Sequence, residues 1–218
     1  PIWIMRSRFD EQLAQLNREM IEMGAQCEEV IALASKALTE ADMRLAAKVA
    51  PLSADIDRKE REIEALCLRL LLQQQPVARD LRQISAALKM ITDLERIGDQ
   101  AEEIADIIGF IDGHNPEDYV TLTEMAKAAI HMVTESIDAY VKHDTILAEK
   151  VVDEDDIVDE YFLQVKSKLI AKIAKDPDDG EYALDLLMIA KYFERIGDHA
   201  TNIAEWVIFS VTGVHKEG

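Results

Sequence analysis

The sequence predicts an all-α fold of two tandem antiparallel three-helix bundles related by an internal repeat. Three observations predict it. The stretch "ERIGDQAEEIA" at 95–105 recurs as "ERIGDHATNIA" at 194–204, with eight of eleven positions identical. Long stretches of each half place apolar residues at alternating spacings of three and four, the period of a helix that buries one face. Turn and capping residues cut each half into three, and short links between long amphipathic helices make antiparallel neighbours. Upstream of the motif the halves also align, with Asp42 matching Asp144 and Ile56-Asp57 matching Val158-Asp159 at an offset of 102.

The opening "PIWIM" reads as a lead-in before a start at Met5, and helical periodicity begins near Phe9. Residues 1–8 are therefore set apart from a first repeat at 9–112 and a second at 113–218. In the first repeat, helices are expected over about 9–40, 42–73 and 76–110, with Asp42 as an N-cap and Pro76 at a first helical position. Pro51 falls inside the second of these and should kink or break it, because proline lacks an N–H and clashes with the preceding turn. In the second repeat, helices are expected over about 116–142, 144–175 and 178–211. "DGHNPED" at 112–118 links the repeats, with Asn115 capping and Pro116, Glu117 and Asp118 in the first turn, and "DPDDG" at 176–180 separates the last two helices. A helix of about thirty residues is roughly 45 Å long and cannot bury its apolar stripe alone.

Composition narrows the function. With 43 acidic residues against 24 basic ones and a net charge of −19, the surface repels phosphate backbones and anionic headgroups, so direct nucleic-acid binding is not expected. No apolar run approaches the eighteen or so residues of a membrane span, and no leader pattern opens the chain, which leads to an expectation of a cytoplasmic protein without membrane insertion. Cys27 and Cys67 lack any metal-ligand spacing and read as small buried residues in a reducing compartment.

The third helix of each repeat carries the chemistry. Ala87, Met90, Leu94, Ile97, Ala101, Ile104 and Ile108 form one apolar seam, and Leu186, Ile189, Phe193, Ile196, Ala200, Ile203 and Val207 form its repeat. Beside these seams run Glu95, Asp99, Glu102 and Asp106 in the first half and Glu194, Asp198, Thr201 and Glu205 in the second. Like charges at i and i+4 repel, and a mid-helix glycine costs about 1 kcal/mol relative to alanine, yet Gly98 and Gly197 recur in register. Local rules broken twice in register point to a site. Carboxylates from successive turns can hold a cation between them. The middle helix adds Asp155 and Asp159 in the second half and Asp57 in the first, where Ser53 replaces the remaining acid. The alternative is a surface ion-pair network, with Arg96 and Arg195 neutralising the acids and the glycines serving close helix packing.

An oxygen-only ligand set suits iron(III), manganese, magnesium or calcium better than zinc or copper. His199 reads as a solvent-facing neighbour of Asp198. The Glu-x-x-His pairs of di-iron bundle oxidases do not occur, since Gly98 and Gly197 stand three residues beyond Glu95 and Glu194.

"FDEQLAQL", "QQQPVARDLRQISAALKMITDLERIGDQAEEIA" and "YFERIGDHATNIAEW" resemble the PhoU family of phosphate-specific transport accessory regulators, and the resemblance covers nearly all of the chain from Phe9 onward. It implies metal clusters, often of iron, held on the bundle surface, with Glu95, Asp99, Glu194, Asp198, Asp155, Asp159 and Asp57 as ligands. Ser53 departs from the acidic pattern. Glu102, Asp106, Glu205, Arg96 and Arg195 are candidate additional ligands or supporting residues. The resemblance further implies a negative regulator of the phosphate-starvation response that contacts the ATPase subunit of the phosphate ABC transporter and a membrane sensor histidine kinase, and a homodimer is the expected assembly. The competing reading is a carboxylate-bridged metalloenzyme, a hydrolase or oxidase. Against it stand the absence from the sequence of a nucleophile–base constellation and of a phosphate-cradling glycine loop.

Overall fold

A computed structural model describes residues 2–73, 76–111, 113 and 115–215. The helices are α1 (Ile2–Glu40), α2 (Met43–Ala47), α3 (Val49–Gln73), α4 (Ala78–Ile108), α5 (Val120–Lys142), α6 (Thr145–Lys175) and α7 (Gly180–Thr212), and no strand occurs among the described residues. In the first repeat α1, α3 and α4 pack on one another; in the second α5, α6 and α7 do the same.

The helix boundaries follow from the caps. Asp42 accepts from the backbone N–H groups of Arg44 and Leu45 at 2.8 and 3.3 Å, and its repeat counterpart Asp144 accepts from Leu147 at 3.0 Å. The residue before each cap turns left-handed, Ala41 at φ 48° and His143 at φ 54°, and these sharp reversals make the antiparallel pairs. Asn115 caps a 3-10 turn over Pro116–Tyr119, and Asp176 caps another over Pro177–Asp179.

In the second repeat α5 begins at Val120, after the 3-10 turn, where about 116 was expected, and three boundaries of the first repeat also differ from expectation. First, α1 begins at Ile2, not Phe9, because the early residues contain no breaker; the sequence periodicity misses this turn since Ile2, Trp3, Ile4 and Met5 are exposed and Phe9 is the first buried side chain. Second, the expected 42–73 helix is two helices that part at Lys48, which leaves Pro51 in the first turn of α3, where its missing N–H has no intrahelical partner to lose. Third, Pro76 precedes α4 instead of opening it, and Val77 takes the N-cap position without a side-chain bond. Asp112 and His114 of the expected linker lie outside the described residues.

All fourteen seam residues of α4 and α7 are buried. These two helices form the most extensive helix pair, and α1 also packs on α5, so the bundles share one continuous core across the repeat boundary. Burial at about 25 cal/mol per Å² of apolar surface makes this joint core the dominant stabilising feature. Cys27 and Cys67 are both buried and free, the Cys27 thiol donating to the Leu94 carbonyl at 3.2 Å.

Candidate metal centre

The acidic faces of α4 and α7 look outward from the shared core onto the middle helix of their own repeat. Gly98 and Gly197 set how near those helices come. A Cβ on Gly98 would stand 3.1 Å from Ser53 Oγ, and one on Gly197 would stand 3.2 Å from Val158 Cγ1. Glycine at these positions draws the two backbones together, and Glu95 and Asp99 on α4 can then meet Asp57 of α3.

Asp57 from α3 and Glu95 and Asp99 from α4 each offer a carboxylate oxygen, and these oxygens lie within 4.8 Å of one another. Asp57 Oδ1 is buried with no hydrogen-bond partner. The Glu95 carboxyl is pushed up to about 8, first by burial, then by hydrogen bonding to Asp99 and Asp57, and further by their charge. Glu60, one turn beyond Asp57, is raised as well, by burial and then by Asp57 and Glu64. The sequence reading missed Glu60, whose only signal was its i+3 spacing from Asp57.

In the second repeat the corresponding set is Asp155 and Asp159 of α6 with Asp198 of α7, again within 4.8 Å. Asp155 Oδ1 is buried and unpartnered. Burial pushes the Asp155 carboxyl up to about 6, with Asp159 and Asp198 adding to it. Asp159 and Asp198 are raised too, first by loss of surrounding water and then by the charge of Glu194. Glu194 itself stands beside the set and is held by Lys191 Nζ at 2.5 Å. The repeats therefore complete their triads differently. In the first repeat the α4 glutamate joins and Ser53 leaves a gap; in the second Asp155 fills the place of Ser53, and the α7 glutamate is drawn to a lysine that Thr92 replaces in the first half.

The PhoU domain model matches twice, over residues 20–108 and 122–207. The chain belongs to the PhoU family. A phosphate-specific transport system accessory protein PhoU homolog from Clostridium acetobutylicum is 35% identical over 210 residues, covering 95% of this chain and 96% of that protein. The Pseudomonas aeruginosa homolog of the same description is 35% identical over 208 residues, covering 94% and 86%. The crystal structure of PhoU from Pseudomonas aeruginosa superposes with a TM-score of 0.88 at 35% identity, covering 94% of this chain and 100% of that one. The phosphate transport system regulatory protein PhoU from Streptococcus pneumoniae superposes at 0.87 and 26% identity, covering 96% and 99%.

Within this PhoU-family fold the remaining candidates separate from the triads. Glu102 and Asp106 line a groove with Met43, Ala46 and Gly109, and Glu205 lines its repeat counterpart with Glu149 and Asp153. They share a helix face with Glu95 and Asp99, but a rise of 1.5 Å per residue carries Asp106 roughly 10 Å along the axis beyond Asp99. Arg96 approaches Glu95 only loosely, at 3.9 Å, and Arg195 lies over the Tyr192 ring.

His199 is not a solvent-facing neighbour of the site. It is mostly buried, and its Nδ1 lies 3.0 Å from Asp93 Oδ1 across the α4–α7 interface, where Asn202 donates to the same oxygen at 3.2 Å. A third acidic group went unread in the sequence: His131 and Glu135 on α5 with Glu154 on α6. Lys150 pairs with both glutamates at 3.0 and 3.8 Å, which makes this group a charge network. The signal was present as the i, i+4 pair His131 and Glu135, but the first repeat has Leu33 and Leu52 where Glu135 and Glu154 stand, so repeat comparison does not reveal it.

The donor set fits an oxygen-preferring cation. Each triad brings three carboxylates into mutual repulsion, one of whose oxygens is buried without a partner, and a bound cation would relieve both costs. Asp57, Glu95 and Asp99 would hold it in the first repeat and Asp155, Asp159 and Asp198 in the second, with Glu194 adjacent.

Proposed function

We propose that this PhoU-family chain is a metal-binding regulatory adaptor that restrains the phosphate-starvation response and modulates phosphate uptake, linking the ATPase subunit of the phosphate ABC transporter to its sensor histidine kinase. The observation that carries the metal part of this reading is the pair of repeat-related carboxylate triads, each with a buried, unpartnered oxygen. The regulatory part rests on the relatives, which are named as accessory and regulatory proteins of phosphate transport. No helix among the described residues is long and apolar enough to cross a membrane, which suits an adaptor working as a homodimer at the cytoplasmic face of the transporter.

The metal, of which iron is the first candidate, supplies fixed positive charge on an otherwise strongly acidic surface. The chain's own residues do the rest: Asp57 and Asp155 orient from the middle helices, and Gly98 and Gly197 set the approach. In this reading the chain is no enzyme, and metal-loaded protein shows no metal-dependent phosphatase or oxidase turnover.

The deciding experiment combines elemental analysis with complementation. Protein purified without chelator should carry metal, and changing Glu95, Asp99, Glu194 and Asp198 together to alanine should lower its content and restore repression only partly in cells lacking the protein. Full restoration would detach the metal from signalling. An unchanged starvation response on deletion at high phosphate would refute the regulatory assignment. Multiple turnover that vanishes in the same variant would establish the metalloenzyme instead.

A further inference from the structure

On the far side of the molecule's charge balance lies one cationic pocket. The start of α4 meets the ends of α5 and α7 there, enclosing about 120 Å³ lined by Arg79, Arg82, Gln83, His143 and Ser210. Among the described residues the arginines that form ion pairs are Arg6, Arg58 and Arg96, and Arg79 and Arg82 form none. In a chain with 43 acidic residues, two unpaired arginines on one pocket stand against the composition.

Two details point to an anion. Arg82 Nε is buried with no hydrogen-bond partner, a state that costs free energy until an acceptor arrives. Gln83 and Ser210 line the same wall, but the Gln83 amide donates to Asn17 Oδ1 at 3.1 Å and the Ser210 hydroxyl to the Val207 carbonyl at 2.6 Å, so the arginines carry the site. The imidazole of His143 is held below its usual range, first by burial and then by the charge of Arg79, so Arg79's charge is felt at this wall of the pocket. The carbonyl ends of α5 and α7 attract cations and account for part of the arginines' presence, but Arg82 Nε donates to neither of them.

We propose that this pocket binds a phosphate group, as free inorganic phosphate or as the end of a small phosphomonoester. Planar guanidinium forks match phosphate oxygens in pairs, and Arg82 presents such a donor without a partner. At about 120 Å³ the pocket has room for a tetrahedral oxyanion. Because Arg79 and Arg82 belong to the first repeat and His143 and Ser210 to the second, an occupant ties the repeats together. This site is separate from the carboxylate triads, and its occupancy does not depend on their metal.

The test titrates the full chain with inorganic phosphate in chelator-containing buffer of matched chloride, reading the Arg82 Nε–Hε and His143 ring signals by NMR. Glycerol 3-phosphate and sulfate form parallel arms. Saturable shifts at both residues, with the His143 pKa rising as the anion arrives, are expected. Tighter binding of glycerol 3-phosphate than of phosphate assigns the ligand to a phosphomonoester, and the reverse order assigns it to the free ion. Arg79→Gln, at an exposed position, should keep the fold and weaken binding about tenfold or more, and Arg82→Gln should abolish it. Shifts that merely track ionic strength, or undiminished affinity in Arg79→Gln, would overturn the proposal. So would sulfate and both phosphates failing to saturate while Arg82→Gln only lowers the melting temperature, since the arginines would then serve the helix ends alone.

Discussion

Gly98 sits so near Ser53 that a Cβ on the glycine would stand 3.1 Å from the serine Oγ, while Gly197 meets Val158 Cγ1 at 3.2 Å. The two contacts are alike in distance and unlike in compliance. A hydroxyl can rotate; a β-branched side chain is stiff at χ1. Gly197→Ala should therefore cost about 1 kcal/mol net, overpacking of about 2 kcal/mol less about 1 kcal/mol of regained helix propensity. Gly98→Ala should cost less. Urea midpoints of the two metal-free variants measure the order, and a more costly Gly98→Ala would contradict it.

The raised carboxyls predict a pH dependence for the metal-free protein. Glu95, at about 8, and Asp155, at about 6, keep protons when folded that the unfolded chain releases near pH 4. The folded state binds more protons through that window, so this contribution is full at its acid end and is lost as pH rises toward about 8. Glu95→Gln should remove the part of the decline between roughly pH 6 and 8. Denaturant midpoints across that range in chelator check it; equal slopes for the variant and the parent would refute it.

Lys191 competes with any cation at the second triad. It neutralises Glu194, whose charge also acts on Asp159 and Asp198, and the first repeat has Thr92 at that position. Lys191→Met should tighten metal binding in the second repeat by about 1 kcal/mol, roughly fivefold, and leave the first unchanged. Competition with a graded chelator would show it.

Asp93 joins the repeats by accepting from His199 and Asn202 across the α4–α7 interface. Asp93→Ala should lower stability by about 1–2 kcal/mol, and a double-mutant cycle with His199→Ala should return a coupling of about 1 kcal/mol. Coupling near zero would make the contact incidental.

The helical fold and its duplication were legible because they depend on local and periodic properties. The seam of Leu94 and Ile97 repeats as Phe193 and Ile196, and capping by Asp42 and Asp144 needs only the next turn of chain. The break before Pro51 was equally readable, though its place at Lys48 was not, since which turn yields depends on what α1 and α4 allow around it.

Spacing alone put Glu95, Asp99, Glu194 and Asp198 on comparable helix faces, and it located Asp57, Asp155 and Asp159 on the neighbouring helices. Only the tertiary structure decided which of them meet. Glu194 and Glu95 hold equivalent positions, yet one joins a triad and the other turns to Lys191, because a carboxylate's partner is set by charges arriving from other turns and other helices. The burial of His199 against Asp93 and the meeting of Arg79, Arg82 and His143 likewise needed the packed molecule, for these residues come from opposite repeats and no sequence period relates them. Periodicity determines which face a helix buries; the geometry of a site depends on distances between faces, and those exist only once the helices are packed.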